Sequence, residues 1–367
     1  MDSYRPICRR FSVGLDAKQC QLNLIEQTFI ISSGTQKEKG RDETRETVWR
    51  DSRELRFRQS ECYAERLGLF MVGALVIDKP AGWTSHDVVA KMRGIARTKR
   101  IGHLGTLDPM ATGVLPLLIG NATRLAQFHT AESKVYEGVI RFGFSTNTYD
   151  AEGEPTSEVV PYEANDATLT DVIAQRFLGE IDQMPPAVSA KKIGGVPAYK
   201  LARQNKEVKL SAVPVRIDEF RVVQCQGDSA TVRVVCSTGT YVRSLAHDLG
   251  AALGVGAHLS ALRRHASGCF TLEQAITIEQ AQELANAGTL SERVVSPAAL
   301  LPEVPSEIVD DVTARQIRDG RAFRVSPFLQ TQAQNLVKAV TRSGVLVAIG
   351  ERKLHNLYQP TLVFPVS

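Results

Sequence analysis

The stretch Gly102-His103-Leu104-Gly105-Thr106-Leu107-Asp108-Pro109-Met110-Ala111-Thr112-Gly113 runs straight into the apolar segment Val114–Ile119. Pro109 disfavours the helical region for Asp108 and pushes its backbone towards an extended form. Glycines at 102, 105 and 113 allow sharp turns and let a ligand approach the main chain closely. The apolar run that follows reads as a buried strand anchoring the loop. A stiff, presented carboxylate beside bare backbone is how a reactive acid is built, and an ordinary surface aspartate requires none of this.

Outward from the loop the chain reads as mixed α+β. Met71-Val72-Gly73-Ala74-Leu75-Val76-Ile77 begins abruptly as a strand. Thr84 or Ser85 caps a helix whose apolar positions Val88, Val89, Met92 and Ile95 follow the 3.6 period. Val135–Phe144 and Ala230–Ser237 alternate as strands, and Ala164–Phe177 reads as a helix. Met184–Arg203, rich in Gly, Pro and Lys, reads as an exposed insertion. Beyond Pro302, a helical stretch near Ala314–Ile317 precedes strands at Leu336–Val340, Val345–Ile349 and Leu362–Val366, a compact β-rich module of its own. Before Met71 no helix or strand period is sustained, and the mixed-charge tract from Lys37 to Arg66 reads as disordered. The expected division is therefore an extension over 1–70, with Met71 as the biological start, a catalytic domain over 71–300 and a small module over 301–367.

Composition narrows the classes. A chain of 367 residues allows roughly two or three domains, and no run approaches the ~20 apolar residues of a membrane span. Asp2, Arg5, Arg9 and Arg10 bracket no apolar segment of a secretory leader. Six cysteines are scattered without CxxC spacing, which argues against zinc and a disulfide framework and for a reducing, cytoplasmic setting. The net charge of +4 permits a nucleic-acid partner without demonstrating one.

A second constellation is Cys236-Ser237-Thr238-Gly239-Thr240-Tyr241-Val242-Arg243-Ser244-Leu245. A strand ends, Gly239 turns, Thr240 stands as N-cap, and a helix carries Val242, Leu245, Ala246, Leu249 and Leu253 inward until Gly254 stops it. Tyr241 and Arg243 then lie in the first turn. A buried arginine there calls for a carboxylate, with a bidentate pair holding that carboxylate ionised. Asp108 and the nearby Asp248 are both open as partners.

Gly102–Pro116 resembles the signature of the TruB family, the tRNA pseudouridine synthases acting on the T-loop uridine. The likeness is collinear: Leu75–Val89 upstream, then Lys134–Gly138, Thr146–Gly153, Gln183–Lys192, Ala198–Arg203, Cys236–Arg243 and Gly256–Arg264. It departs from the family at Leu104, where threonine is frequent, at Asn147, where aspartate is usual, and at Val188, where tyrosine is common. The resemblance implies a mixed, largely antiparallel sheet with a thumb insertion, followed by a PUA-like C-terminal domain. It implies isomerisation of uridine to pseudouridine with no cofactor and no metal.

In this family reading Asp108 is the carboxylate that meets the sugar as the glycosidic bond breaks, and Arg243 keeps it charged. The target base must be flipped out of its stack. Tyr136 stacks on it, and the family also casts this tyrosine as a proton acceptor. Tyr241 contacts the same nucleotide, Leu262 walls the pocket and His103 holds the RNA open. Lys191, Lys192, Arg203, Arg263 and Arg264 are the phosphate-contact candidates. The implied partner is the T-arm of tRNA, met by a monomer with no guide RNA and no membrane. Read alone, Tyr136, Tyr241 and Leu262 are core residues, and the basic residues form a solvated face. Two rivals come from other classes: an RNA-binding protein without chemistry, and an N-glycosidase that releases free uracil. A guide-dependent synthase is a nearer one.

Overall fold

The computed structural model describes residues 71–129, 132–186, 192–193, 196–197, 211–326 and 335–365. The readings made for 1–70 and for most of Met184–Arg203, with Lys191 and Arg203, lie outside the described residues.

The first strand, β1 (Gly73–Lys79), is followed by α1 (Ser85–Ile95), β2 (Ile101–His103), β3 (Thr112–Ile119) and β4 (Lys134–Phe142). Thr84 caps α1 through a reciprocal box with Asp87, and Val88, Val89, Met92 and Ile95 are buried, as the 3.6 spacing requires. Next come α2 (Asp166–Arg176), β5 (Gly179–Gln183), two short paired strands β6 (Lys192–Ile193) and β7 (Val196–Pro197), β8 (Val213–Gln226) and β9 (Ser229–Cys236). The domain closes with α3 (Val242–Leu253), β10 (Ala257–Ser267), β11 (Phe270–Thr271) and α4 (Ile278–Ala287).

One mixed sheet runs β1-β3-β10-β4-β9-β8-β5, with β2 on β3 and β11 on β10. Its pairings are antiparallel except β3 with β10, where Arg263 and Arg264 stand beside Thr112 and Gly113. That parallel seam brings the strand after α3 against the strand after the Asp108 loop. Antiparallel pairing of β10 with β4 then sets Tyr136 beside Arg264 and Gly138 beside Leu262.

β1 and β3 are buried on both faces, which explains their continuous apolar text. Leu75, Ile77, Leu115, Leu117 and Ile119 face the core on one side of this sheet. Ala74, Val76, Val114 and Leu118 face the other way, into a cluster with Val340, Leu346, Ile349, Leu362 and Phe364. These belong to a five-stranded sheet built from β12 (Ser306–Val309), β13 (Phe323–Arg324), β14 (Leu336–Thr341), β15 (Leu346–Leu354) and β16 (Leu357–Val363), with α5 (Asp311–Arg318) against it. The C-terminal module has its own core around Ile317, Val337, Val347 and Tyr358, yet its other face is welded to β1 and β3. Full burial of each such Val, Leu or Ile contributes about 1.5–3 kcal/mol, so the module, a β-rich domain with a core of its own, is also held firmly against β1 and β3. Its last strand also lies earlier than Leu362–Val366. Asn356 adopts φ 57° and turns the chain within His355-Asn356, starting β16 at Leu357.

Candidate active site

The Asp108 loop is clamped on both sides of its carboxylate. The Ser85 hydroxyl, buried at the start of α1, accepts the Leu107 N–H at 2.9 Å and donates to the Leu107 carbonyl at 3.1 Å. Lys79, with no exposed surface, donates from Nζ to the carbonyls of Pro80 (2.9 Å) and Pro109 (3.1 Å). The Gly82 N–H also donates to Pro109 O, and Ala111 N–H closes a turn onto Asp108 O at 3.1 Å. With its neighbours tied, Asp108 keeps little conformational freedom to lose when a ligand arrives.

Arg243 meets this loop from the first turn of α3. Its Nε forms an ion pair with Asp108 Oδ2 at 2.8 Å. Its NH1 donates to Asp150 Oδ2 at 3.1 Å and to the Thr148 carbonyl at 2.9 Å. Asp248 forms no ion pair with Arg243, and burial alone pushes its carboxyl up to about 6. Arg243 and Asp150 are each 5% exposed in their side chains, whereas Asp108 is 35% exposed. The guanidinium and one carboxylate are sealed, and the other carboxylate looks outward.

Electrostatically, Asp108 sits above the ordinary carboxylate value. Burial raises it, the Arg243 charge draws it back and Asp150 raises it further. Arg243 therefore limits a rise instead of holding Asp108 at its usual acidity. Lys79 is lowered to about 8, chiefly by burial, with Asp108 opposing. Two carboxylates and two cations thus share one polar nest.

Asp108 and Arg243 line a cavity of ≈ 260 Å³ together with Tyr136, Tyr241, Leu262 and Lys134. Tyr136, on β4, is buried (6% exposed). Burial pushes its phenol up against the opposing Arg264 charge, so it stands in the wall as a neutral hydroxyl. Tyr241 is the N-cap of α3 and precedes its first turn. Thr240 loses that place because the Gln183 side chain takes both backbone groups of Tyr241, accepting its N–H at 2.8 Å and donating to its carbonyl at 3.0 Å. Lys134 donates to Thr238 Oγ1 at 3.0 Å, and burial lowers its pKa, with Arg264 adding to the effect. Leu262 is 8% exposed.

His103 is not among the residues lining this cavity. It ends β2 and packs edge-on to His86, ring centroids 5.6 Å apart, and burial drives its pKa down to about 4. Arg264 has no exposed surface, and a phosphate has no access to it. Its Nε donates to Val114 O at 2.7 Å and its NH2 to Gly105 O at 3.1 Å, bracing the loop from beneath. Arg263 is engaged by Asp78 at 2.7 Å and by Thr112 Oγ1 at 3.3 Å. Lys192 is described only as part of β6.

Residues 93–242 match the TruB family pseudouridylate synthase N-terminal domain, and residues 243–301 match the tRNA pseudouridylate synthase B C-terminal domain. The chain belongs to the TruB family. It is 56% identical over 293 residues to a tRNA pseudouridine synthase B of Solibacter usitatus, covering 80% of this chain and all of that one. The tRNA pseudouridine synthase B of Thermobifida fusca is 49% identical over 303 residues, covering 80% and 99%. In fold the chain resembles a subunit from the structure of an H/ACA RNP bound to a substrate RNA containing 2′-deoxyuridine, with TM-score 0.60, 24% identity and coverage of 81% and 86%.

As a TruB-family pseudouridylate synthase, the chain is an isomerase. Residues that sequence reading passed over stand out in its site: Asp150, Lys79, Gln183 and Lys134. Asp150 ends the Thr146-Asn147-Thr148-Tyr149-Asp150 text, where a signal was present. Gln183 opens the Gln183–Lys192 match, but its contact with Tyr241 had no local signal, since only the fold brings β5 to α3.

Proposed function

We propose that this TruB-family enzyme converts the T-loop uridine of tRNA to pseudouridine, acting as a monomer in the cytoplasm without a guide RNA, with Asp108 as the catalytic carboxylate. The carrying observation is the 2.8 Å pair between Arg243 and Asp108 at a cavity walled by Tyr136, Tyr241 and Leu262. A uridine in a folded loop is stacked and must be extruded before its glycosidic bond can be reached. Tyr136 offers the face on which the extruded base stacks, Tyr241 flanks the nucleotide, and Leu262 excludes water. His103, outside the cavity beside the loop, occupies room on the RNA side.

The chemistry follows from the parts. Breaking N1–C1′ leaves positive character at the sugar and an electron pair on the departing uracil. A carboxylate on the sugar face stabilises or captures that centre. The retained uracil turns, C5 bonds to C1′, and the proton at C5 is lost while N1 gains one. Atoms and electrons balance without an oxidant. The closed wall holds the free base until it rejoins, which separates an isomerase from a glycosidase that releases uracil.

The PUA-like module, fastened to β1 and β3, extends the protein surface beyond the cavity for the tRNA arm, and the insertion around Lys191, Lys192 and Arg203 serves as the thumb. Relatives named as tRNA pseudouridine synthase B at 56% and 49% identity support the tRNA substrate and the guide-free reading over the H/ACA likeness, which concerns fold alone. Incubation of an unmodified tRNA transcript with wild type and Asp108→Ala tests this. Pseudouridine is expected at the T-loop uridine with wild type alone, with tRNA bound by both. Release of free uracil, or dependence on an added guide, would overturn it.

A further inference from the structure

Tyr149 adopts φ 65°, a left-handed conformation that a bulky residue keeps only where its surroundings enforce it. The residues on either side of it both engage Arg243 NH1, Thr148 through its carbonyl at 2.9 Å and Asp150 through its carboxylate at 3.1 Å. The Tyr149 ring stacks on His247, centroids 3.8 Å apart and planes 14° from parallel. His247 lies four residues beyond Arg243 on α3, hence on the same helix face. The turn therefore docks on α3 at two points, one ionic and one aromatic.

The His247 ring offers its face here. Burial lowers its pKa, keeping it neutral, and its Nδ1 is buried with no hydrogen-bond partner among the described residues. On the far side, Leu259 of β10 accepts the Ala151 N–H and donates its own N–H to the Tyr149 carbonyl, both at 3.0 Å. That bridge fixes the turn to the sheet, and the stack fixes it to the helix carrying Arg243.

We propose that the Tyr149–His247 stack is a positioning element of the reaction: it holds the turn against α3 and thereby sets the aim of Arg243 at Asp108. The proposal rests on Asp108 and Arg243 being the reacting pair. A displaced guanidinium leaves substrate contacts intact but misdirects the carboxylate, so the loss falls on the chemical step.

The full chain carrying Tyr149→Ala, Tyr149→Gly, Tyr149→Phe, His247→Ala, His247→Phe or the double alanine change is compared with wild type and Asp108→Ala. Single-turnover conversion and affinity for an unmodified tRNA transcript are measured well below each melting temperature. Tyr149→Ala and His247→Ala are each expected to slow conversion about ten-fold with affinity changed less than about two-fold. Phe at either position restores the rate to within about two-fold, and the double variant is no slower than either single one. Tyr149→Gly, which adopts the left-handed backbone without strain, is expected to match Tyr149→Ala and reads the ring alone. Wild-type rates in Tyr149→Gly and His247→Ala, additive losses in the double variant, or failure of both Phe variants to rescue overturns the proposal. An active Asp108→Ala instead removes the assignment of the reacting pair, so the two failures are told apart.

Discussion

Arg243 and Asp150 form an ion pair at 3.1 Å in which each side chain is only 5% exposed. The same guanidinium reaches Asp108, whose carboxylate is open to the cavity. One carboxylate holds the arginine and the arginine holds the other. Asp150 is itself oriented by the Thr148 hydroxyl at 2.5 Å and the Glu152 N–H at 3.1 Å, so the chain of support runs from the 146–153 turn through Arg243 to the Asp108 carboxylate.

Asp150→Asn keeps the shape of this support and removes its charge. With Asp108 as the proposed catalytic carboxylate, it is expected to lower the single-turnover rate about ten- to hundred-fold, with tRNA affinity nearly unchanged, because the aim of Arg243 at Asp108 is lost. Asp150 raises the Asp108 pKa, so the acid limb of the remaining activity is expected to move to lower pH. Rate–pH profiles of wild type and variant check both points, and an unchanged rate would show that Arg243 needs no second anchor.

Arg264→Met separates a bracing role from an RNA contact. The change leaves the buried Val114 carbonyl and the half-buried Gly105 carbonyl without their donor. A buried acceptor stranded in this way costs about 1–3 kcal/mol, so thermal and urea unfolding are expected to show a loss of about that size, with the half-buried Gly105 carbonyl adding less. Gly113, at φ 99°, lies directly against the Arg264 backbone, leaving the seam no slack to absorb the change. A phosphate-contact arginine would give the opposite result, full stability with weakened and less salt-dependent tRNA binding.

Local text carried most of the fold and the centre of the site. Pro109 and the glycines marked Asp108 because their effect is confined to adjacent residues. Val88, Val89, Met92 and Ile95 marked α1 because a helix writes its buried face in its own spacing. Arg264 was misread because composition reports a charge and not its burial, and β10 escaped notice because His258, Arg263 and Arg264 interrupt its apolar alternation. Both of its edges are paired with strands far away in sequence, β3 and β4. The Thr240 cap failed for the same reason: Gln183 outbids a local hydroxyl only once β5 lies beside α3.

The raised pKa of Asp108 also makes a statement about stability. Its folded form binds a proton more tightly than the unfolded chain, whose carboxyl titrates near 3.8. Above the unfolded value, and up to the raised folded one, the native state holds more protons than the unfolded state, so stability falls as pH rises through that window. The penalty is complete once pH exceeds the raised folded value, where the carboxylate is ionised beside Asp150 and the Arg243 and Lys79 charges only partly offset its burial. Asp108→Asn removes the penalty and leaves Arg243 paired with Asp150. The variant is expected to be inactive yet at least as stable as wild type at neutral pH, with the difference shrinking as pH falls towards the unfolded carboxyl value. Urea unfolding of both proteins across that range measures it. A variant less stable than wild type at neutral pH would mean that the Arg243 pair outweighs burial, reversing the direction given for Asp108.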